Sequence, residues 1–146
     1  MFKNILLATD GSAASEHAAK VAVDLARTHE AGLTALYVID PYPYLNVGES
    51  NPMGFQAYMS SAAQHAAEAH AKVARLCTSG ERIVELQMRR AEDISATEGI
   101  LQAARELHCD LIVVGSHGRT GIARLMLGSV AGQVVAQSPV PVLVAR

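Results

Sequence analysis

Two glycine clusters near the carboxyl end of the chain hold the residues best suited to chemistry. Gly115-Ser116-His117-Gly118 is followed by Gly128-Ser129-Val130, so the spacing is Gly-x2-Gly-x9-Gly-Ser. The apolar run Asp110-Leu111-Ile112-Val113-Val114 just before it reads as a buried strand, and Ala131 to Ser138 just after it as a helix. The chemistry is that of an anion site. Gly115 lets the chain turn sharply, and Gly118, without a Cβ, lets a ligand reach the backbone. Gly128 and Ser129 offer free N–H groups and a hydroxyl at the positive end of a helix, where a phosphate is stabilised. Taken singly, these residues also read as a strand end and a helix cap. As a spaced set they favour phosphate. The set is neither a Walker A loop, since no Gly-Lys-Ser/Thr follows, nor the dinucleotide fingerprint, whose glycine spacing differs.

Other residues could join that chemistry. Asp10 follows Thr9 one residue past the first strand. Its carboxylate suits ribose hydroxyls or a metal that bridges phosphates. The plainer reading is an Asx turn into Gly11. Arg119 stands beside Gly118 and could neutralise phosphate charge, as could Arg124 more weakly, although loop arginines are commonly just solvated. Ser116, His117 and Asp10 invite a catalytic-triad reading. It is rejected, because no nucleophile elbow surrounds Ser116 and nothing supplies an acyl site. His65 and His70, five apart, do not share a helical face for a metal. His17, His29 and His108 read as surface residues.

The elements that must position these groups alternate. Lys3 to Thr9 reads as strand one. A helix capped by Ser12 or Ser15 runs to about Glu30, with Ala18, Val21, Ala22 and Leu25 on its apolar stripe. Gly32 ends it, and Leu33 to Ile39 is strand two. Asp40 to Ser60 is a long irregular segment with Pro41, Pro43, Gly48, Pro52 and Gly54. It leaves the sheet on the ligand side and carries Tyr42, Tyr44, Met53, Phe55 and Tyr58. A connection of that length is often a lid; an insertion without function is the other reading. An alanine-rich helix spans Ala62 to Cys77. Strand three is Arg82 to Arg89, with Val84, Leu86 and Met88 alternating against charged residues, as at an edge or with one wet face. Ser95 and Glu98 form a capping box for a helix through Leu107. Strand four is Leu111 to Val114, and strand five is Val140 to Ala145 after a helix that stops before Pro139.

This alternation predicts an α/β fold: one mainly parallel, doubly wound, Rossmann-like sheet with helices on both faces and right-handed crossovers. In such sheets a ligand sits outside the strand carboxyl ends where the strand order reverses. The polar ends Thr9-Asp10-Gly11-Ser12 and Gly115 to Gly118 are the candidates for that crevice.

Composition narrows the function. With 146 residues, half of them apolar, the chain is one domain large enough for a real core. Net charge is −2 with both signs interspersed, which gives no electrostatic footprint for nucleic acid. Four Tyr, two Phe and no Trp argue against a stacking platform for single strands. No apolar run reaches the roughly 18 residues of a membrane span, and Met1-Phe2-Lys3-Asn4 lacks a signal-peptide pattern. Cys77 and Cys109 have neither metal nor redox spacing, which points to the reducing cytoplasm.

The glycine spacing resembles the nucleotide-binding branch of the universal stress protein family. So do Ile5-Leu6-Leu7-Ala8-Thr9-Asp10-Gly11-Ser12, Leu36-Tyr37-Val38-Ile39-Asp40 and Ser138-Pro139-Val140-Pro141-Val142-Leu143-Val144, which together cover the chain from end to end. The resemblance implies strand order 3-2-1-4-5, which makes the first and fourth strands neighbours. It implies ATP, or ADP or AMP, as ligand, with Mg2+ held at Asp10. It implies phosphate contacts at Gly115, His117, Gly118, Arg119, Gly128, Ser129 and Val130, ribose contacts around Ala8, Thr9 and Asp10, and adenine recognition by the backbone of Val38. Ala8 stands where many nucleotide-binding members have proline, and Asp93-Ile94-Ser95-Ala96 where many have a Gly-x-Pro or Gly-x-Ala turn. Strand five, apolar on both faces yet at an edge, invites pairing, and a homodimer through Val140 to Ala145 is also what the resemblance implies. The leading reading is a cytoplasmic, ATP-binding regulatory or sensing module of the stress response. A slow ATPase or phosphoryl-transfer enzyme using the same pocket, and a dimeric interaction protein with an empty pocket, are the alternatives.

Overall fold

A computed structural model describes residues 1–42, 52–117 and 127–146. Among these residues five strands and four helices follow in the order β1 (Asn4–Ala8), α1 (Ala13–His29), β2 (Gly32–Ile39), α2 (Pro52–Thr78), β3 (Leu86–Glu92), α3 (Ala96–Glu106), β4 (Leu111–Gly115), α4 (Ser129–Gln137) and β5 (Val142–Ala145). The strands form one sheet in the order β3-β2-β1-β4-β5, and every pair is parallel. The α/β architecture and strand order are those predicted.

Side-chain direction explains the two layers. Successive residues of a strand point to opposite faces. Ile5 and Leu7 therefore pack with Ala18, Ala22 and Val23 of α1 and Val73 and Cys77 of α2. Leu6 goes to the other face, with Ile100, Leu101 and Ala104 of α3 and Ala131 and Val134 of α4. Because helices cover both faces, the central strands read as continuous apolar runs rather than alternating ones. Burying a side chain such as Leu6 or Ile112 stabilises the fold by roughly 1.5–3 kcal/mol; both are fully buried. Both cysteines are free and buried. Burial, with the Asp110 charge behind it, pushes the Cys109 thiol up to about 11. Among the described residues no helix is long and apolar enough to cross a membrane.

Several boundaries differ from expectation. The irregular segment predicted for Asp40 to Ser60 is helical from Pro52 onward, ten residues before the helix start read from the alanine pattern. Strand three is displaced toward the carboxyl end: β3 begins at Leu86 and runs through Glu92, in register with β2 from Leu33↔Leu86 to Ile39↔Glu92. β3 is an edge, one of the two positions its alternation allowed, and Met88 in it is 56% exposed. Strand five is shorter, beginning at Val142, and it is the opposite edge.

Gly32 does not end the first helix. Glu30 does so in the left-handed conformation (φ 54°), with Ala31 N–H donating to Ala26 O at 2.9 Å. The end of α3 repeats this arrangement: His108 has φ 51° and Cys109 N–H donates to Ala104 O at 2.9 Å. Both are Schellman-type ends, which favour glycine at the left-handed position. The α2 carboxyl end is held differently. Arg27 of α1 donates to Leu76 O (3.2 Å), Ser79 O (2.8 Å) and Arg82 O (3.0 Å), closing the turn into β3. Ser95 caps α3: its Oγ accepts from Glu98 N–H and donates to the Glu98 carboxylate.

Candidate functional site

The strand order reverses at the β1–β4 pair, where Ile5, Leu6 and Leu7 lie beside Leu111, Ile112 and Val113. From there the chain runs outward through β2 and β3 on one side and through β5 on the other. Beyond the carboxyl ends of these strands lies a cavity of about 820 Å3, the place where an open α/β sheet binds its ligand. Nine of the residues predicted from sequence line it: Ala8, Thr9, Asp10, Val38, Gly115, His117, Gly128, Ser129 and Val130. Gly118 and Arg119 lie outside the described residues, as do Arg124, Tyr44 and Gly48.

The β1 exit is set by local hydrogen bonds. Thr9 N–H donates to Leu36 O at 2.9 Å, which carries the β1–β2 ladder one residue past the strand. Asp10 Oδ1 accepts Ser12 N–H at 2.9 Å, so the Asx turn exists and the carboxylate also lines the cavity. Gly11 takes φ 78° in this turn, a conformation that side chains resist. Ser12, rather than Ser15, caps α1, accepting Ser15 N–H at 3.2 Å. Behind the turn, Lys72 of α2 reaches Gly11 O (3.4 Å) and pairs with Glu16 (2.6 Å). That hydrogen bond, followed by the Lys72 charge, holds the Glu16 carboxyl below its usual range.

The phosphate side is built from two glycines whose roles differ from expectation. Gly115 is not a sharp turn. It is the last residue of β4, in register with Ala145, and a Cβ there would lie 3.0 Å from the backbone of Ala14. Its missing side chain lets the first turn of α1 press onto the strand end. Gly128 donates its N–H to Ser116 O at 2.7 Å, which seats the start of α4 on the β4 exit. α4 has no side-chain cap on its amino end and no acidic residue in its first turn. Gly128, Ser129 and Val130 at this amino end line the cavity, and among the described residues no side chain caps its first N–H groups.

The opposite end is apolar. Val38 turns its side chain into the α3 layer, where its methyls lie 3.0 Å and 3.2 Å from where a Cβ on Gly99 would be. Val38 also lines the cavity near the β2 exit. Ala96 and Ile100 of α3 line the same region. The turn before α3 uses Asp93 at φ 56°, a left-handed conformation taken without glycine.

Sequence reading missed one wall. Tyr58, Ser61, Ala62 and His65 of α2 all line the cavity. Their spacing of three, four and seven is one helical face, and it was legible once the helix is extended back one turn from Ala62. Tyr58 Oη donates to Asp40 O at 2.8 Å and so ties this helix to the β2 exit. His70, one turn and a half further on, faces the sheet instead. Burial, joined by the Arg90 charge, lowers its pKa against the opposing pull of the Ala35 and Arg89 carbonyls. The two histidines are thus on different faces, as their spacing predicted. Among the described residues no cluster of three or more His, Cys, Asp or Glu could hold a metal by itself.

A doubly wound parallel sheet with a cavity at its switch point defines a class of α/β binding proteins. The whole chain, residues 1–146, matches the model described as the universal stress protein family, and it belongs to that family. It is 39% identical over 148 residues to the universal stress protein in the QAH/OAS sulfhydrylase 3' region of Thermus aquaticus, covering 100% of both chains. It is 34% identical to universal stress protein MJ0531 of Methanocaldococcus jannaschii, over 100% of this chain and 83% of that one. Among solved structures, universal stress protein UspA from Lactobacillus plantarum superposes with a TM-score of 0.80 at 28% identity, over 99% of this chain and 97% of that one. The fold is also that of a universal stress protein in complex with cAMP (TM-score 0.70, 23% identity, 99% and 97% covered). It is shared as well by the Archaeoglobus fulgidus protein in complex with dAMP (TM-score 0.65, 16% identity, 100% and 98% covered).

Proposed function

We propose that this chain binds an adenine nucleotide, ATP foremost and ADP or AMP as well, as a regulatory or sensing module of the stress response. The observation that carries the reading is the convergence of nine predicted residues from four elements on one cavity at the switch point. That cavity joins an apolar end at Val38, Ala96 and Ile100 to an uncapped helix terminus at Gly128 and Ser129. A base is apolar and flat, and a phosphate is anionic; the two ends suit them in that order. Two proteins of this fold hold cAMP and dAMP, which agrees with the reading, although at their identity the residues here must carry it.

In this reading the α4 amino end, Gly115 and His117 take the phosphates, with Gly118 and Arg119 beside them. Asp10 and Thr9 face the ribose, next to Ala8, and backbone groups of Val38 meet the adenine edge. Asp10 supplies one carboxylate, which fits Mg2+ shared with phosphate oxygens rather than caged by protein. The domain is residues 1–146 in the cytoplasm, paired as a homodimer through the β5 edge.

Ser129→Asp tests the phosphate assignment. An acidic residue at a helix amino end is neutral or stabilising for the fold by about 0.3–1 kcal/mol, yet it puts a negative charge where the phosphates would lie. Titration calorimetry with ATP and Mg2+ should show one site per native chain and none in Ser129→Asp at unchanged melting temperature. Equal affinity in both proteins contradicts the assignment.

A further inference from the structure

We infer that Tyr58 is the specificity-determining residue for the base, forming the aromatic wall that makes the cavity prefer a purine to a pyrimidine. The inference rests on the nucleotide reading above and names the residue that would select among nucleotides.

Tyr58 lines the cavity at its apolar end, near Val38 and Asp40 of the β2 exit. Its ring is held from two sides. The hydroxyl donates to Asp40 O at 2.8 Å. Tyr42 packs against the ring at 5.3 Å between centroids, and Phe55 packs edge-on to Tyr42 at 5.8 Å. Below it, Met59 and Ala62 of the same helix pack with Tyr37 and Ile39 of β2. A ring tethered at its hydroxyl and backed by a second ring loses little conformational freedom when a ligand arrives. Aromatic side chains hold bases mainly through area, which tolerates any base but rewards the larger one. Ala96 and Ile100 are aliphatic, Tyr37 also lines the cavity but is buried in the cluster between β2 and α2, and His65 is a smaller ring further along the helix, so the half-buried Tyr58 brings the larger aromatic surface still open to a base.

The test compares ATP, CTP and inorganic triphosphate on the native chain, Tyr58→Phe and Tyr58→Leu, with melting temperature as the folding control. The native chain should prefer ATP to CTP. Tyr58→Leu should lose about tenfold or more in ATP affinity, the loss of one base–aromatic contact, while CTP affinity falls less and triphosphate affinity stays constant. Tyr58→Phe keeps the ring but not the bond to Asp40 O, and should retain the preference for ATP with a smaller loss. If the native chain binds ATP and both variants keep its ATP-to-CTP ratio, the inference is overturned and the nucleotide reading survives. If the native chain binds none of the three, both are overturned.

Discussion

Gly128 donates its N–H to Ser116 O at 2.7 Å, and a Cβ on Gly128 would stand only 2.9 Å from that same oxygen. The contact that seats α4 on the β4 exit thus exists only because residue 128 has no side chain. Gly128→Ala should push the amino end of α4 off the strand. The expected result is a fall in ATP affinity of about 10-fold or more, the loss of one or two hydrogen bonds to a charged group. The folded core, built on Ala131 and Val134 further along the helix, should remain. Calorimetric titration beside a thermal melt separates the two effects.

Arg27 closes the end of α2 by donating to three carbonyls, Leu76 O in the last turn of the helix and Ser79 O and Arg82 O in the turn that follows it. Its side chain is only 24% exposed. Arg27→Ala should destabilise the chain by about 1–3 kcal/mol, because those carbonyls lose a charged donor. Arg27→Lys should recover little, since an ammonium cannot fork to all three. Urea midpoints for the three proteins check the order.

His108 adopts a left-handed φ of 51° that a side chain resists. His108→Gly relieves that strain of roughly 1–2 kcal/mol and loses part of it to backbone entropy, roughly 0.5–1 kcal/mol. A net gain of about 0.5–1 kcal/mol should appear as a raised urea midpoint. The site lies at the amino end of the sheet, so ATP affinity should not change.

His70 gives a pH dependence of known sign. Burial lowers its pKa in the folded chain below the ordinary 6.5. The unfolded chain therefore takes the proton more readily, and acid favours unfolding. Stability from this group is complete above pH 6.5 and is lost as pH falls from there to the lowered folded value. A His70→Gln chain should show a flatter stability profile from pH 7 to 5 than the native chain. Parallel profiles would show that His70 does not titrate with unfolding.

Whereas the strand order came from the family resemblance, the parallel α/β sheet and the site residues near strand ends were legible because both follow from apolar runs broken by polar, glycine-bearing exits. The start of α2 was not. Pro52 opens the helix and Gly54 stands in its first turn. Proline is at home at the first helical position, but the two together read as a loop, and with them went Tyr58 and Ser61. Gly115 was read as a turn because sequence does not distinguish a glycine that bends from one that admits a neighbour; only Ala14 of α1 reveals which it is. β3 was misplaced since its residues beyond Arg89 have no apolar alternation, and pairing to β2 alone extends the strand to Glu92.

If the proposed function holds, the cavity at the β1–β4 switch point takes up an adenine nucleotide. The most direct measurement is to purify the chain without added nucleotide, denature it, and identify what is released by chromatography and mass spectrometry, followed by calorimetric titration with ATP and Mg2+. The expected release is ATP, ADP or AMP approaching one per chain, or a saturable heat with ATP if the nucleotide is lost on purification. No released nucleotide together with no heat would contradict the proposed function.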